Sequence, residues 1–206
     1  MDDIERRRLR LSRIETLNDP FELLSIALSD PVLRVAAAEW KKRMNEAYGL
    51  VCFSRRSTNP VQWTHYADSH RGICLGFDVA DDTLVPVNYV SRRLVTDTLA
   101  QMLAAKNEGD ARQVMLQVLA TKYSHWRYEA EVRNFSRLDI QSDGNFFIEF
   151  DDNLVLREVL VGALSDATRH DVSAALGTLP NVAVQKKRLA FKSFSVVRNR
   201  NEKNWK

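Results

Sequence analysis

The chain has 206 residues, 45% of them hydrophobic, and a formal net charge of +3. That is enough apolar material for the core of one domain, and it excludes a polycation or a disordered acidic chain. No apolar run approaches the roughly 20 residues a membrane-spanning helix needs, and the charged start reads against a signal peptide.

Basic runs stand near both ends, "ERRRLRLSR" over 5–13 and "RNRNEKNWK" over 198–206. Such runs usually form solvated ends, with phosphate binding as the minority reading. "LNDPFE" (17–22) predicts a turn that leads into a helix. Asp30 and Pro31 cap and open another helix, which the pattern carries to Tyr48 and Gly49. "LVCFS" (50–54) then reads as a short buried strand. A crowded helix starts at Asn59-Pro60 and runs about three turns to Gly72. "ICLGFDV" (73–79) is a strand. Residues from about Thr96 to Tyr123 read as helical, broken near Gly109. "EAEVRNFSRL", "FFIEF" and "VLREVLVG" read as strands, "SDATRHDVSAALG" as a capped helix, and "NVAVQ" and "AFKSFSVV" as closing strands. With no linker or repeat in view, the expectation is a single α+β domain with a mostly antiparallel sheet and helices packed around it.

Three constellations carry chemistry. In "NPVQWTHYADSHRGICLGFD", helical spacing puts Trp63, Tyr66 and His70 on one face and His65 with Asp68 and Ser69 on the other. The functional reading is a ligand wall; the bland one is a packed helix whose polar tips reach backbone groups. A metal site is disfavoured, because His65 and His70 are five apart and a cysteine would have to complete the set. Cys52 and Cys74, with no C-x-x-C pairing, read as buried thiols of a reducing cytoplasm. In "WRYEAEVR", strand periodicity puts Glu129, Glu131 and Arg133 on one face, as a salt-bridged patch or a ligand site. In "LREVLVGALSDATRHDVSAAL", Glu158 stands at the start of an apolar strand, where a carboxylate can be positioned for chemistry.

Together "LNDPFELL", "GLVCFSRR", "NPVQWTHYADSHRGICLGFD", "WRYEAEVR", "REVLVG" and "KRLAFKSFSVV" resemble, in order and over nearly the whole chain, a bacterial family catalogued as domain of unknown function 2971. Met1 falls at the segment that follows that family's usual first strand, so the strand is expected to be absent before it.

More distantly, the layout "REVLVG … DVSAAL … VAVQ" is similar to the ADP-ribosyltransferase superfamily, with Glu158 in the place of its glutamate. The resemblance implies an ADP-ribosyltransferase-like shape and a nucleotide ligand, with NAD as substrate and no bound cofactor. It implies a carboxylate that steadies the oxocarbenium-like ribosyl centre as nicotinamide leaves. On it, Trp63, His65 and Tyr66 line the cleft, and Glu131 with Arg133 supports it. The acceptor is a protein or nucleic acid, and the setting by analogy a toxin or phage-defence system. The alternative reading is a non-enzymatic module that holds nucleic acid or a partner protein through its basic ends.

Overall fold

The computed structural model describes residues 1–22, 24–94, 115–201, Lys203 and Trp205. They form two compact units, each assembled from separate stretches of chain: Met1–Leu9, Arg55–Asp81 and Ile148–Lys206 in the first, Arg10–Ser54 and Asp82–Phe147 in the second. The class is α+β with mainly antiparallel pairing.

The first unit is built on a four-stranded sheet in the order Val196–Arg198, Ala183–Leu189, Leu154–Val161, Ile73–Val79. The two middle strands run parallel, and the chain between them contains the helix Arg169–Leu176. A parallel pair needs such a crossover, because a tight turn can only reverse the chain. The helix opens with a reciprocal capping box. The Asp171 N–H donates to Thr168 Oγ1 at 3.1 Å, and the Thr168 N–H donates to Asp171 Oδ2 at 2.7 Å. Strand alternation sends Val159 and Val161 into a fully buried cluster with Val172 and Ala175 of the helix.

Both chain ends join this core. Ile4 and Trp205 belong to the same buried cluster, the Trp205 indole N–H donates to Ala167 O at 2.9 Å, and Arg7 donates to Thr178. The basic ends expected as solvated tails are therefore partly packed. Ile4 and Trp205 supply the anchors, while Arg6, Arg7, Arg10, Arg198, Arg200 and Lys203 remain exposed.

The second unit holds a four-stranded antiparallel sheet in the order Ser12–Arg13, Tyr48–Ser54, Glu131–Arg137, Val85–Pro86. The predicted Asp30 cap is present: its carboxylate accepts the Val32 N–H at 2.7 Å and Pro31 opens the helix Pro31–Ala47. That helix and the sheet meet in a cluster of Ile14, Met44, Leu50 and Leu119. A separate two-stranded parallel ribbon pairs Asn88–Val90 with Thr121–Tyr123.

Several sequence expectations change. The "LNDPFE" turn leads into no helix among the described residues; Asp19 Oδ1 caps its own turn by accepting the Phe21 N–H. Residues 115–119 are helical, but Thr121–Tyr123 is a strand, and the rest of the predicted segment, 96–114, lies outside the described residues. Glu129 ends a 3-10 helix over Ser124–Glu129, and the strand starts only at Glu131, past left-handed Ala130. "AFKSFSVV" is mostly loop, with its strand confined to Val196–Arg198.

Candidate functional site

The second unit contains a closed network of charge. Arg133 has five N–H bonds and uses all of them. Its Nη1 and Nη2 grip Glu22 at 2.9 and 2.7 Å. Its Nε meets Glu131 at 2.7 Å, and the remaining two go to Leu119 O and to the other Glu131 oxygen. Beside it, the Lys122 ammonium touches Glu129 at 2.7 Å, Glu131 at 3.0 Å and Glu22 at 3.4 Å. All five side chains are buried, Arg133 completely. Buried charges survive only when paired and hydrogen-bonded in this way.

The electrostatics follow from that closure. Burial pushes the Glu131 carboxyl up, but the charge and hydrogen bond of Arg133, with Lys122, outweigh it and hold the group down at about 2. Burial pulls Lys122 down, and the charge of Glu131 with its other carboxylate partners more than restores it. The backbone N–H of Glu131 donates to the Tyr89 hydroxyl at 2.8 Å.

Cys52 lies opposite Arg133 in the sheet register. Desolvation, then the charge of Glu131, raises its thiol well above the ordinary range, so it stays protonated although the residue keeps solvent-accessible surface. A protonated thiol is a poor nucleophile. Glu22 and Lys122 also border a pocket of about 270 Å³ lined by Phe21, Val90, Arg92 and Arg93. Their charges are already neutralised there by each other and by Arg133. Of the sequence-read residues, Glu131 and Arg133 thus sit in a network with no vacant donor. Glu22 and Lys122 were not singled out in the sequence: Glu22 lies 111 positions from Arg133, and Lys122, although only seven and nine positions from Glu129 and Glu131, falls in a segment whose pattern reads as helix.

The first unit offers the opposite arrangement. The crowded helix is shorter than predicted: it spans Pro60–Tyr66, and its amide hydrogen bonds close on Trp63 O. Asp68, Ser69 and His70 then adopt positive φ in succession, at 43°, 50° and 70°. Non-glycine residues hold such a run only where packing dictates it. The dictating contact is Gly162, whose N–H donates to Gly72 O at 3.0 Å while the Leu164 N–H donates to His70 O at 3.1 Å.

This turn redistributes the predicted helix faces. Trp63 is buried against Leu160 and Val196, donates its indole N–H to Ser57 O at 2.7 Å, and stacks on His70 at 6.3 Å between centroids. His65 and Tyr66 are exposed and meet edge to face at 6.2 Å. The expected single face of Trp63, Tyr66 and His70 is not formed, because the helix ends before His70.

Glu158 does not start its strand as expected: the strand Leu154–Val161 begins four residues earlier, and Glu158 lies within it, just past a register shift between Leu156 and Glu158, paired with Gly76 on one side and Ala183 on the other. Pairing and alternation put Cys74, Gly76, Glu158, Leu160, Gln185 and Lys187 on one face of the sheet, under the helix that carries Trp63. The Glu158 side chain lies over Gly76: a Cβ at that position would come within 3.3 Å of Glu158 Oε2. Gln185 Nε2 donates to Glu158 Oε1 at 3.4 Å, and the Lys187 ammonium donates to Gln185 Oε1 at 3.4 Å. Burial lowers the Lys187 pKa, and the charge of Glu158 offsets part of that. Burial also raises the Cys74 thiol. Glu158 makes no ion pair among the described residues and keeps partial exposure. The period-2 pattern of "ICLGFD" and of "VAVQKKR" carried this face in sequence, but which strands lie side by side was not visible there.

No group of three or more metal-binding side chains occurs among the described residues, and no described helix is long and apolar enough to cross a membrane. A family model described as protein of unknown function (DUF2971) matches residues 62–134. The match runs from the crowded helix to the strand of Arg133, and it supports the resemblance to that family over two of the six stretches it was read from, most of "NPVQWTHYADSHRGICLGFD" and "WRYEAEVR". It stops short of Glu158. No curated protein and no solved structure matches the chain significantly.

Proposed function

We propose that the Glu158 face of the first unit is a site for an NAD-type nucleotide, and that the chain is an ADP-ribosyltransferase-like enzyme. The observation that carries the reading is the setting of Glu158. It is a half-buried carboxylate on an inner strand, its side chain lying over Gly76, with a neutral amide donor beside it and no ion pair among the described residues. The order of strand, helix and parallel strand that presents it is the one the superfamily resemblance rests on.

In that chemistry the bond between the ribosyl carbon and the pyridinium nitrogen breaks, its electron pair leaves with neutral nicotinamide, and an acceptor oxygen or nitrogen bonds the same carbon and loses a proton. The carbon becomes cationic on the way. A fixed carboxylate next to it stabilises that charge without reorganising. Gln185 would hold the carboxylate's orientation, and the exposed His65–Tyr66 pair offers ring surface on the covering helix. The site would act with this chain's own side chains, NAD being substrate and not a resident cofactor. A setting in toxin or phage-defence systems belongs to the same proposal.

The test is a thermal-shift titration of the full chain with NAD, ADP-ribose and nicotinamide, beside Glu158→Gln. A ligand that binds only the native state raises the apparent melting temperature with its concentration. A dose-dependent rise with NAD or ADP-ribose is expected. A folded chain that shifts with none of the three would remove the reading.

A further inference from the structure

The hairpin of the last two strands ends in a loop that burial does not explain. Residues 190–195 bulge out between Ala183–Leu189 and Val196–Arg198, closed by the Ala190 N–H donating to Ser195 O at 2.9 Å and by the Ser193 and Ser195 hydroxyls at 2.6 Å. At its tip Phe194 is 100% exposed and Phe191 88%. Adjoining large apolar side chains left fully in water usually mark a contact surface. The Arg188 guanidinium lies over one face of Phe191 at 4.3 Å, which fixes that ring and leaves its other face open.

Charge narrows the partner. From Lys186 to Asn201 the chain carries six cations and no acid. Lys186 and Lys187 are turned inward, toward Ser165 O and Gln185. Lys192, Arg198 and Arg200 are exposed. The partner is therefore anionic and presents flat apolar surface to stack on the rings.

An anionic membrane fits less well than a nucleic acid strand. A membrane wedge wants its cations at the level of the loop. Here Lys192 is the one cation within the loop itself, while Arg198 pairs with Lys187, two residues below the last strand pair Leu189–Val196, roughly 7 Å farther from the tip, and Arg200 stands beyond it. Cations strung along a ribbon that ends in exposed rings match a phosphate backbone with unstacked bases.

We infer that this hairpin is a single-stranded nucleic-acid contact, in which Phe191 and Phe194 stack bases and Lys192, Arg198 and Arg200 follow the phosphates. The inference is independent of the Glu158 site and needs no activity to test. The full chain would be titrated against fluorescently labelled thymidine and uridine oligomers of about 15 nucleotides, with anisotropy read over a range of salt. Phe191→Ala with Phe194→Ala should weaken binding about tenfold or more and leave the salt dependence unchanged. Lys192→Gln with Arg198→Gln and Arg200→Gln should flatten the slope of log K against log salt by about two. The aromatic side chains are solvent-exposed, so the first variant should melt with the parent chain. No binding to either oligomer by the folded chain, or binding untouched by loss of both rings, overturns the inference. So does exclusive binding to phosphatidylserine vesicles, which would make the loop a membrane contact.

Discussion

The two units handle buried charge in opposite ways. In the second, two cations and three carboxylates close on one another until Arg133 has no N–H left to offer. In the first, Glu158 meets one amide at 3.4 Å, and the nearby Lys187 reaches that amide instead of the carboxylate. Closure of the first kind specifies a fold, since losing any member strands a charge in the interior. Openness of the second kind leaves an interaction unspent, as a site that must bind and act requires. The presence of charged residues in an apolar run is therefore a poor guide to chemistry; how completely they are satisfied is a better one.

The comparison breaks most visibly at Arg133. Arg133→Met strands Glu22 and Glu131, and about 3–5 kcal/mol of stability should disappear in urea denaturation. A loss below about 1 kcal/mol would mean that the network is not what closes the second unit.

Next in size is Gly162→Ala. Its Cβ would stand 2.2 Å from His70 O and 2.6 Å from Gly72 O, both backbone atoms. The left-handed turn at 68–70 would have to move, for about 1–3 kcal/mol or more of stability.

The network also sets an acid limit. The Glu131 pKa is about 2 in the folded chain against an ordinary 4.5. The unfolded chain therefore binds the proton first as pH falls. The stability that Glu131 contributes is full above about 4.5 and drains away toward 2. Denaturant midpoints across that window should fall with pH in the parent chain, and the Glu131→Gln variant should show a shallower decline.

The smallest stability effect belongs to the open side. Glu158→Gln should change the unfolding free energy by about 0.5 kcal/mol or less, since Glu158 makes no ion pair among the described residues. The same change removes the charge that holds Lys187 up, so the Lys187 ammonium should titrate at lower pH in the variant, as read by NMR of its side chain.

These contrasts were only partly legible beforehand. The Asp30-Pro31 start, a strand at 50–54, the strand over 73–79 and the capped helix that ends at Leu176 follow from local signals, and all four stand, although the first strand already begins at Tyr48, where the pattern still carries the helix. Local signals failed where distant contacts decide. The crowded helix has residues enough for three turns, but the docking of Gly162 against the chain at His70 and Gly72 stops it at Tyr66. "AFKSFSVV" alternates like a strand, and its rings stand in water. Glu131 and Arg133 were recognisable as a charged pair. Their closure was not, because Glu22 lies 111 positions from Arg133 in the chain.

The most direct test of the Glu158 reading is nicotinamide release from NAD by the full chain and by Glu158→Gln, with the melting temperature of each recorded in the same buffer. The account predicts turnover in the parent chain, lost at least a hundredfold or so in the variant, at nearly equal melting temperatures. Equal rates in two equally stable chains, or no release by a parent chain that is folded, would contradict it.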